Sequence, residues 1–457
     1  MDQQPIKKIF FLGIGGIGMS AIARYYNFKK LVVKGFDKTY TRVTNDLEEE
    51  GIEITYQEDP TLVDDDFDLV VWTPAIKEEN KLFQHFKSLG IPIKKRSEVL
   101  GTLTKNTDCI AVAGTHGKTT VSTLIAHLLK DTGKGCNAFL GGISSNYNTN
   151  FLFDEHSNLT VVEADEFDRS FLRLNPLISV VTSTDADHLD IYSDHNDIKS
   201  TFSEFAKRTN PEGVLFYKKG IELDLPYNVK SYSYSIEESA DFFATNIFAE
   251  NGESVFNFNF DKTRLENLRQ KFPGKHNVEN ATVALAVCKY LGIGESSLRE
   301  SLYNFKGIER RFQVLYNQNE LTYIDDYAHH PEELKSVILS ARQLYPGRSI
   351  SVIFQPHLYS RTRDFASEFA TSLSLADQVF LLPIYPAREL PIEGINSEML
   401  IEKIDIKNKK LVKKETITSN DFIKTQHLQV LMTLGAGDIG QLTTSVLKQI
   451  EELYSDV

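Results

Sequence analysis

The stretch GTHGKTT, Gly114 to Thr120, follows the apolar run CIAVA and precedes the amphipathic run VSTLIAHLL. A glycine-rich turn between a strand and a helix lets successive N–H groups, here from Gly114, Thr115, His116, Gly117 and Thr120, cradle phosphate oxygens. Lys118 then reaches the terminal phosphate and the Thr119 hydroxyl suits a magnesium ion. Val112 stands where the full G-x-x-x-x-G-K-[ST] pattern has its first glycine, so the loop is a shortened variant. In VVEADEFDRSF, Glu163 ends an apolar run, the place at which P-loop enzymes hold magnesium through an acid. A solvated acidic loop is the plainer reading, and the nearby P-loop argues against it. STDADHLDIY ends another apolar run with Asp185, Asp187, His188 and Asp190. His188 reads either as a ligand of a divalent ion beside those carboxylates or as a hydrogen-bonded structural residue.

A second glycine turn lies near the N-terminus. FFLGIGGIGMSAIA carries Gly13, Gly15 and Gly18 in G-x-G-x-x-G spacing, with Gly16 and Ile17 between them. Such a turn brings the backbone close to a pyrophosphate at a helix N-terminus. LVVKGFD ends in Asp37, where these folds place an acid beside a ribose, and DLVVWTPAI brings Thr73 to the end of a further strand. Alone, the turn fits NAD, another nucleotide, or simple helix packing.

Further polar clusters follow strand-like runs. Asn277 and Asn280 in GKHNVENA share one helix face and suit a purine edge. Arg310 and Arg311 suit phosphate, although adjacent arginines are also ordinary surface ion-pair partners. Asp325, Asp326, Tyr327, His329 and His330 follow one strand, and His357, Arg361 and Arg363 follow another. Guanidinium forks match carboxylates and phosphates.

The elements that must position these groups alternate strand and helix, which predicts an α/β chain of parallel sheets. With 457 residues the chain is too long for one core. We expect three domains: a Rossmann-like one over 1–106, a P-loop ATPase-like one over 107–310, and a second Rossmann-like one over 311–457. The polar, β-rich segment 228–260 reads as a small sheet decorating the middle domain. A net charge of −13 argues against nucleic-acid or anionic-membrane partners. Cys109, Cys136 and Cys288 have no metal-ligand spacing and fit a reducing compartment. The N-terminal apolar run is too short and glycine-broken for a signal peptide or membrane span. A cytoplasmic protein without membrane insertion is expected.

In order, GIGGIGMSAIA, AGTHGKTT, EADEFDRSF, DADHLDIY, GKHNVENA, RRFQ, DDYAHHPEE, FQPHLYSRTRD and IYPARELPIEG resemble the Mur ligases of bacterial cell-wall synthesis over essentially the whole chain. The resemblance implies that the N-terminal turn holds UDP and not NAD. It implies an amide ligase that uses ATP to phosphorylate the lactyl carboxylate of UDP-N-acetylmuramate, giving an acyl phosphate that an amine attacks. FQPHLYSRT resembles the branch that adds L-alanine, not the one that recycles a tripeptide. A sugar-nucleotide sensor without turnover would have no use for the full phosphoryl-transfer set.

By the same resemblance Lys118 stabilises the transferring phosphoryl group, Thr119 and Glu163 hold one magnesium ion, and His188 helps hold a second. Asn277, Asn280 and Arg310 or Arg311 face ATP, and Asp326 holds its ribose region. Tyr327, His329, His357, Arg361 and Arg363 face the amino acid and the reacting carboxylate. Some relatives carry a carbamylated lysine near the position of Ser203, and none is expected here. A monomer or weak homodimer is expected.

Overall fold

The computed structural model describes residues 6–185, 192, 194–250, 252–272, 274–318, 321–387, 389–419 and 422–454. Among them the chain divides into two compact units. One falls within 1–246, 256–269 and 279–306, the other within 247–255, 270–278 and 307–457.

The first sheet contains β1 (Lys8–Leu12), β2 (Val32–Phe36), β3 (Glu53–Thr55), β4 (Leu69–Trp72) and β5 (Ile93–Lys95), all parallel, in the order β3-β2-β1-β4-β5. The strand order reverses at β1, so β1 and β4 diverge above a crevice at their carboxyl ends, where open α/β sheets bind ligands. The glycine turn occupies that place, between β1 and the helix Ile17–Phe28.

The second sheet contains β6 (Asp108–Ala113), β7 (Asn137–Ser144), β8 (Thr149–Leu152), β9 (Leu159–Glu163), β10 (Ile178–Val181), β11 (Val214–Lys218), β12 (Lys230–Ile236), β13 (Phe242–Glu250), β14 (Glu253–Phe260) and β15 (Thr263–Gln270). Their order is β15-β14-β13-β12-β11-β10-β6-β9-β7-β8. The P-loop strand β6 is therefore central, with β9 and β10 beside it. The segment 228–260 does not form a separate sheet: β12 pairs parallel with β11, and β13 with β12. Its polar alternation marks strands with one wet face, and that pattern says nothing about which neighbour they join.

The first two sheets share one hydrophobic core. Ile9, Phe11 and Ile22 from the first sheet's layer form a single buried cluster with Phe139, Phe151, Phe171 and Phe205 from the second. A polar pin crosses this core. Arg24 donates to Glu50 at 2.8 Å and also to Asn150 on β8, while Asn150 Nδ2 donates to Ile17 O at 2.6 Å and Ser20 Oγ at 2.9 Å. Cys109, Cys136 and Cys288 are fully buried free thiols, each pushed up to about 12 or beyond by burial.

The second unit is built on β16 (Gln313–Gln318), β17 (Leu321–Asp326), β18 (Ile350–Phe354), β19 (Gln378–Leu381), β20 (Asn408–Leu411) and β21 (Val430–Leu434), in the order β16-β17-β21-β18-β19-β20. All pairings are parallel except that of β16 with β17. Buried side chains pack on both faces of the sheet. Among the described residues no helix is long and apolar enough to cross a membrane.

Candidate active site

At the end of β6 the backbone turns through Gly114 (φ 141°) and Gly117 (φ 82°), conformations that side-chain-bearing residues avoid. Space is equally restrictive. A Cβ on Gly114 would fall 2.0 Å from Thr182 Oγ1, and one on Gly117 would fall 2.7 Å from Asn280 Oδ1. The loop is tied to the end of β10: Thr115 Oγ1 pairs with Ser183 Oγ at 2.9 Å, and His116 N donates to Ser183 Oγ at 2.8 Å. Lys118 opens the helix Lys118–Asp131, followed by the buried Thr119 and then Thr120.

The Lys118 ammonium donates to Gly114 O at 2.6 Å and to Glu166 Oε1 at 2.9 Å, with Thr115 O farther off at 3.4 Å. Burial pulls its pKa down, but Glu166, then Glu163 and Asp165, outweigh burial, so the net shift is upward and the side chain stays charged. Asn280 touches the loop from the helix Lys275–Tyr290, and Asn277 precedes it by three residues on that helix. His188 lies outside the described residues. Before it, Asp185 stands 3.9 Å from His116 Nε2.

A cavity of about 430 Å³ runs from the N-terminal glycine turn to the end of β9. Gly13, Gly16, Ile17, Gly18, Asp37 and Thr73 line it on one side, and Glu163, Asp165 and Gly141 on the other. Gly15 has a different task. Its N–H donates to Asp37 Oδ2 at 2.8 Å, and a Cβ there would strike Thr44 and Asp37. Glu163, the last residue of β9, needs the missing side chain of Gly141, since a Cβ would fall 1.9 Å from Glu163 Oε2.

The sequence reading did not find Arg96, and it noted Asp165 among the acids after Glu163 without giving it a role. Arg96, directly after β5, lines the cavity, pairs with Asp165 at 3.1 Å and lies against Gly18. Its one visible signal is a basic residue just past a parallel strand.

The second unit gathers Tyr327, His329 and His357 at the carboxyl ends of β17 and β18. The His329 ring lies 5.3 Å from Tyr327 and 5.9 Å from His357, which stacks on Tyr385 at 5.7 Å. Burial lowers the His329 pKa to about 4, against Glu333, and the charge of Arg361 lowers it further, so the imidazole is neutral near pH 7.

Other predicted residues here have partners within this unit. Arg310 donates to Asp325 at 3.0 Å and Gly435 O at 2.6 Å, which leaves Arg311, over the Tyr327 ring at 5.4 Å, as the freer cation of the two. Both Asp326 oxygens accept backbone amides, from Phe312 at 2.6 Å and Ala328 at 2.7 Å, so this carboxylate braces two turns. Arg363 is half exposed and pairs with its neighbour Asp364 at 2.7 Å.

Three family profiles match the chain in succession: the Mur ligase family catalytic domain over 8–107, the Mur ligase middle domain over 112–288, and the Mur ligase glutamate ligase domain over 310–439. The chain belongs to the Mur ligase family. Its three sheets correspond to the three domains of Mur ligases. The UDP-N-acetylmuramate–L-alanine ligase of Christiangramia forsetii is 45% identical over 98% of this chain and 99% of its own. The enzyme of the same name from Flavobacterium psychrophilum is 45% identical over 99% of this chain and 100% of its own. Among solved structures, the UDP-N-acetylmuramate–alanine ligase of Thermotoga maritima superposes with a TM-score of 0.83 at 28% identity, covering 98% of this chain and 100% of that one. A murein peptide ligase from Psychrobacter arcticus shares the fold, with a TM-score of 0.74 at 21% identity.

Proposed function

We propose that this Mur ligase joins L-alanine to the lactyl carboxylate of UDP-N-acetylmuramate at the expense of ATP, the activity for which its full-length relatives are named. The observation that carries this reading is a continuous cavity, lined both by the N-terminal glycine turn and by Glu163 of the P-loop sheet. A sugar nucleotide anchored at the turn reaches toward the P-loop's phosphate, as phosphorylation of its carboxylate requires. NAD chemistry has no use for that neighbourhood.

A carboxylate is a poor electrophile, so its oxygen first attacks the γ-phosphorus of ATP, releasing ADP and forming an acyl phosphate. The amine of alanine then attacks the carbonyl carbon, phosphate leaves, and the amine loses a proton. No protein nucleophile is needed. Catalysis is positioning and charge neutralisation. The loop amides and Lys118 hold the ATP phosphates, and Asn277 and Asn280 face the base. Of the arginine pair we assign Arg311 to ATP, since Arg310 is held by Asp325 and Gly435 O. The neutral His329, His357, Tyr327 and Arg361 serve the amino acid and the reacting carboxylate, with Arg361 as the carboxylate fork.

The donors at the loop fit magnesium. Thr119 offers a hydroxyl and Glu163 a carboxylate held in the space Gly141 leaves, and hard oxygen donors suit this ion. Bound there, magnesium would neutralise developing phosphate charge. A second ion at His188 rests on the sequence reading alone. Domain limits near residues 106 and 310, a cytoplasmic location and a monomer or weak dimer complete the proposal.

The test is phosphate release with UDP-N-acetylmuramate, ATP, magnesium and a panel of amines. Turnover that depends on L-alanine supports the assignment, and turnover with L-Ala-D-Glu-meso-diaminopimelate alone would replace it with a recycling ligase.

A further inference from the structure

Two acids just past Glu163 have no part in the chemistry above, yet each holds a cation from a different side. Glu166, with its side chain 2% exposed, takes the Lys118 ammonium at 2.9 Å. Asp165 takes the Arg96 guanidinium at 3.1 Å, at the edge of the sugar-nucleotide cavity.

The turn that carries them is fixed from behind. Phe171 N and Ser170 Oγ donate to Asp165 O at 3.0 and 2.9 Å, and Arg169 N and Tyr192 OH donate to Glu166 O at 2.9 and 2.7 Å. Asp168 and Arg169 both adopt left-handed backbone, with φ of 54° and 51°. Consecutive non-glycine residues in that region persist only where their surroundings over-determine them.

We propose that Asp165 and Glu166 form a two-sided positioning element: Glu166 aims Lys118 at the nucleotide phosphates, and Asp165 aims Arg96 at an anionic oxygen of the sugar nucleotide. This rests on the function proposed above. The donor count supports it. An ammonium has three N–H groups. Gly114 O and Glu166 take two at short distance, while among the described residues the third meets the long 3.4 Å contact to Thr115 O and is the one left for a phosphate oxygen. On the other side, Asp165 accepts from Arg96 Nη2 at 3.1 Å, which anchors one of the five guanidinium N–H donors and holds that end of the side chain at the cavity wall. One turn thereby sets the holders of both anionic substrates.

The two sides make separable predictions. Glu166→Gln removes the charge but keeps the shape, so Lys118 stays available to ATP and loses its aim. We expect kcat to fall about 10- to 100-fold, with the KM for UDP-N-acetylmuramate unchanged. Asp165→Asn frees Arg96, and we expect the KM for UDP-N-acetylmuramate to rise about tenfold, the size of one lost charge-assisted hydrogen bond, with the KM for ATP unchanged.

A double-mutant cycle supplies the readout that a merely structural role would not move. In a Lys118→Ala background, Glu166→Gln should reduce the residual rate by less than twofold, because its partner is already gone. If Glu166→Gln does not fold, Glu166→Asp, which keeps the charge and shortens the reach, replaces it with the same expected split and cycle. Wild-type turnover run alongside separates the two readings. If the wild type turns over but both variants shift the same parameters, or the effects of Glu166 and Lys118 multiply, the positioning element is overturned alone. If the wild type does not turn over with these substrates, the functional reading has failed first.

Discussion

Lys118 is the residue on which the phosphoryl-transfer assignment stands. Replacing it with alanine removes a charged donor from the transition state, and we expect turnover to fall about 100- to 1000-fold. Binding of UDP-N-acetylmuramate, measured by calorimetry, should persist, because the ammonium lies on the loop and not at the glycine turn. Near-normal turnover by a folded Lys118→Ala enzyme would refute the assignment. His329 gives a prediction in pH. Its folded pKa of about 4 lies below the unfolded value of 6.5, so the stability held by the neutral ring is present above pH 6.5 and is lost as pH falls toward 4. The full loss is about 3 kcal/mol at 1.36 kcal/mol per unit. His329→Gln should flatten the drop in denaturant midpoint between pH 6.5 and 4. An equally steep drop in the variant would show that other groups drive it.

At the scale of elements, the three glycines in G-x-G-x-x-G spacing in the N-terminal turn differ in what they do. Gly13 has φ of 84°, Gly15 makes room for Asp37, and Gly18 makes room for Arg96. Gly18 is helical, and what a Cβ there would meet is the far end of a flexible arginine, 2.8 Å away. Gly18→Ala should therefore leave the melting temperature unchanged or slightly raised, since alanine is favoured over glycine in a helix by about 1 kcal/mol. It should also raise the KM for the sugar nucleotide by displacing Arg96. A variant that melts much earlier, with unchanged KM, would mean that Gly18 serves packing. The turn itself was legible because strand, glycine spacing and helix occur in one short stretch. Arg96 was not, because what gives it a role is Asp165, 69 residues away, and no local pattern reports that meeting. The same blindness explains β12 and β13: alternation revealed strands, while their pairing with β11 depended on a register that only the folded sheet sets. Nor could spacing tell Arg310, spent on Asp325 and Gly435, from Arg311 beside it.

For the whole molecule, the choice of amine is the sharpest forecast. The guanidinium fork proposed for Arg361 suits the carboxylate of a free amino acid, and a tripeptide would carry its carboxylate several residues away, at roughly 3.3 Å per residue. L-Alanine should outcompete L-Ala-D-Glu-meso-diaminopimelate in specificity constant. Glycine and serine should react more slowly, because one methyl group discriminates by only about 1 to 3 kcal/mol. A higher specificity constant for the tripeptide would overturn this.

The three buried thiols give the enzyme reporters of its own breathing. Cys109 lies on the P-loop strand, Cys136 just before β7, and Cys288 on the helix that carries Asn280. Thiolate is the species that reacts with alkylating reagents, and burial suppresses both its formation and its access. Labelling in native buffer therefore measures how often this layer opens. ATP, by bridging the loop and the Asn280 helix, should slow modification, and sugar nucleotide alone should slow it less. Equal labelling with and without ATP would mean that the nucleotide leaves this layer's openings untouched.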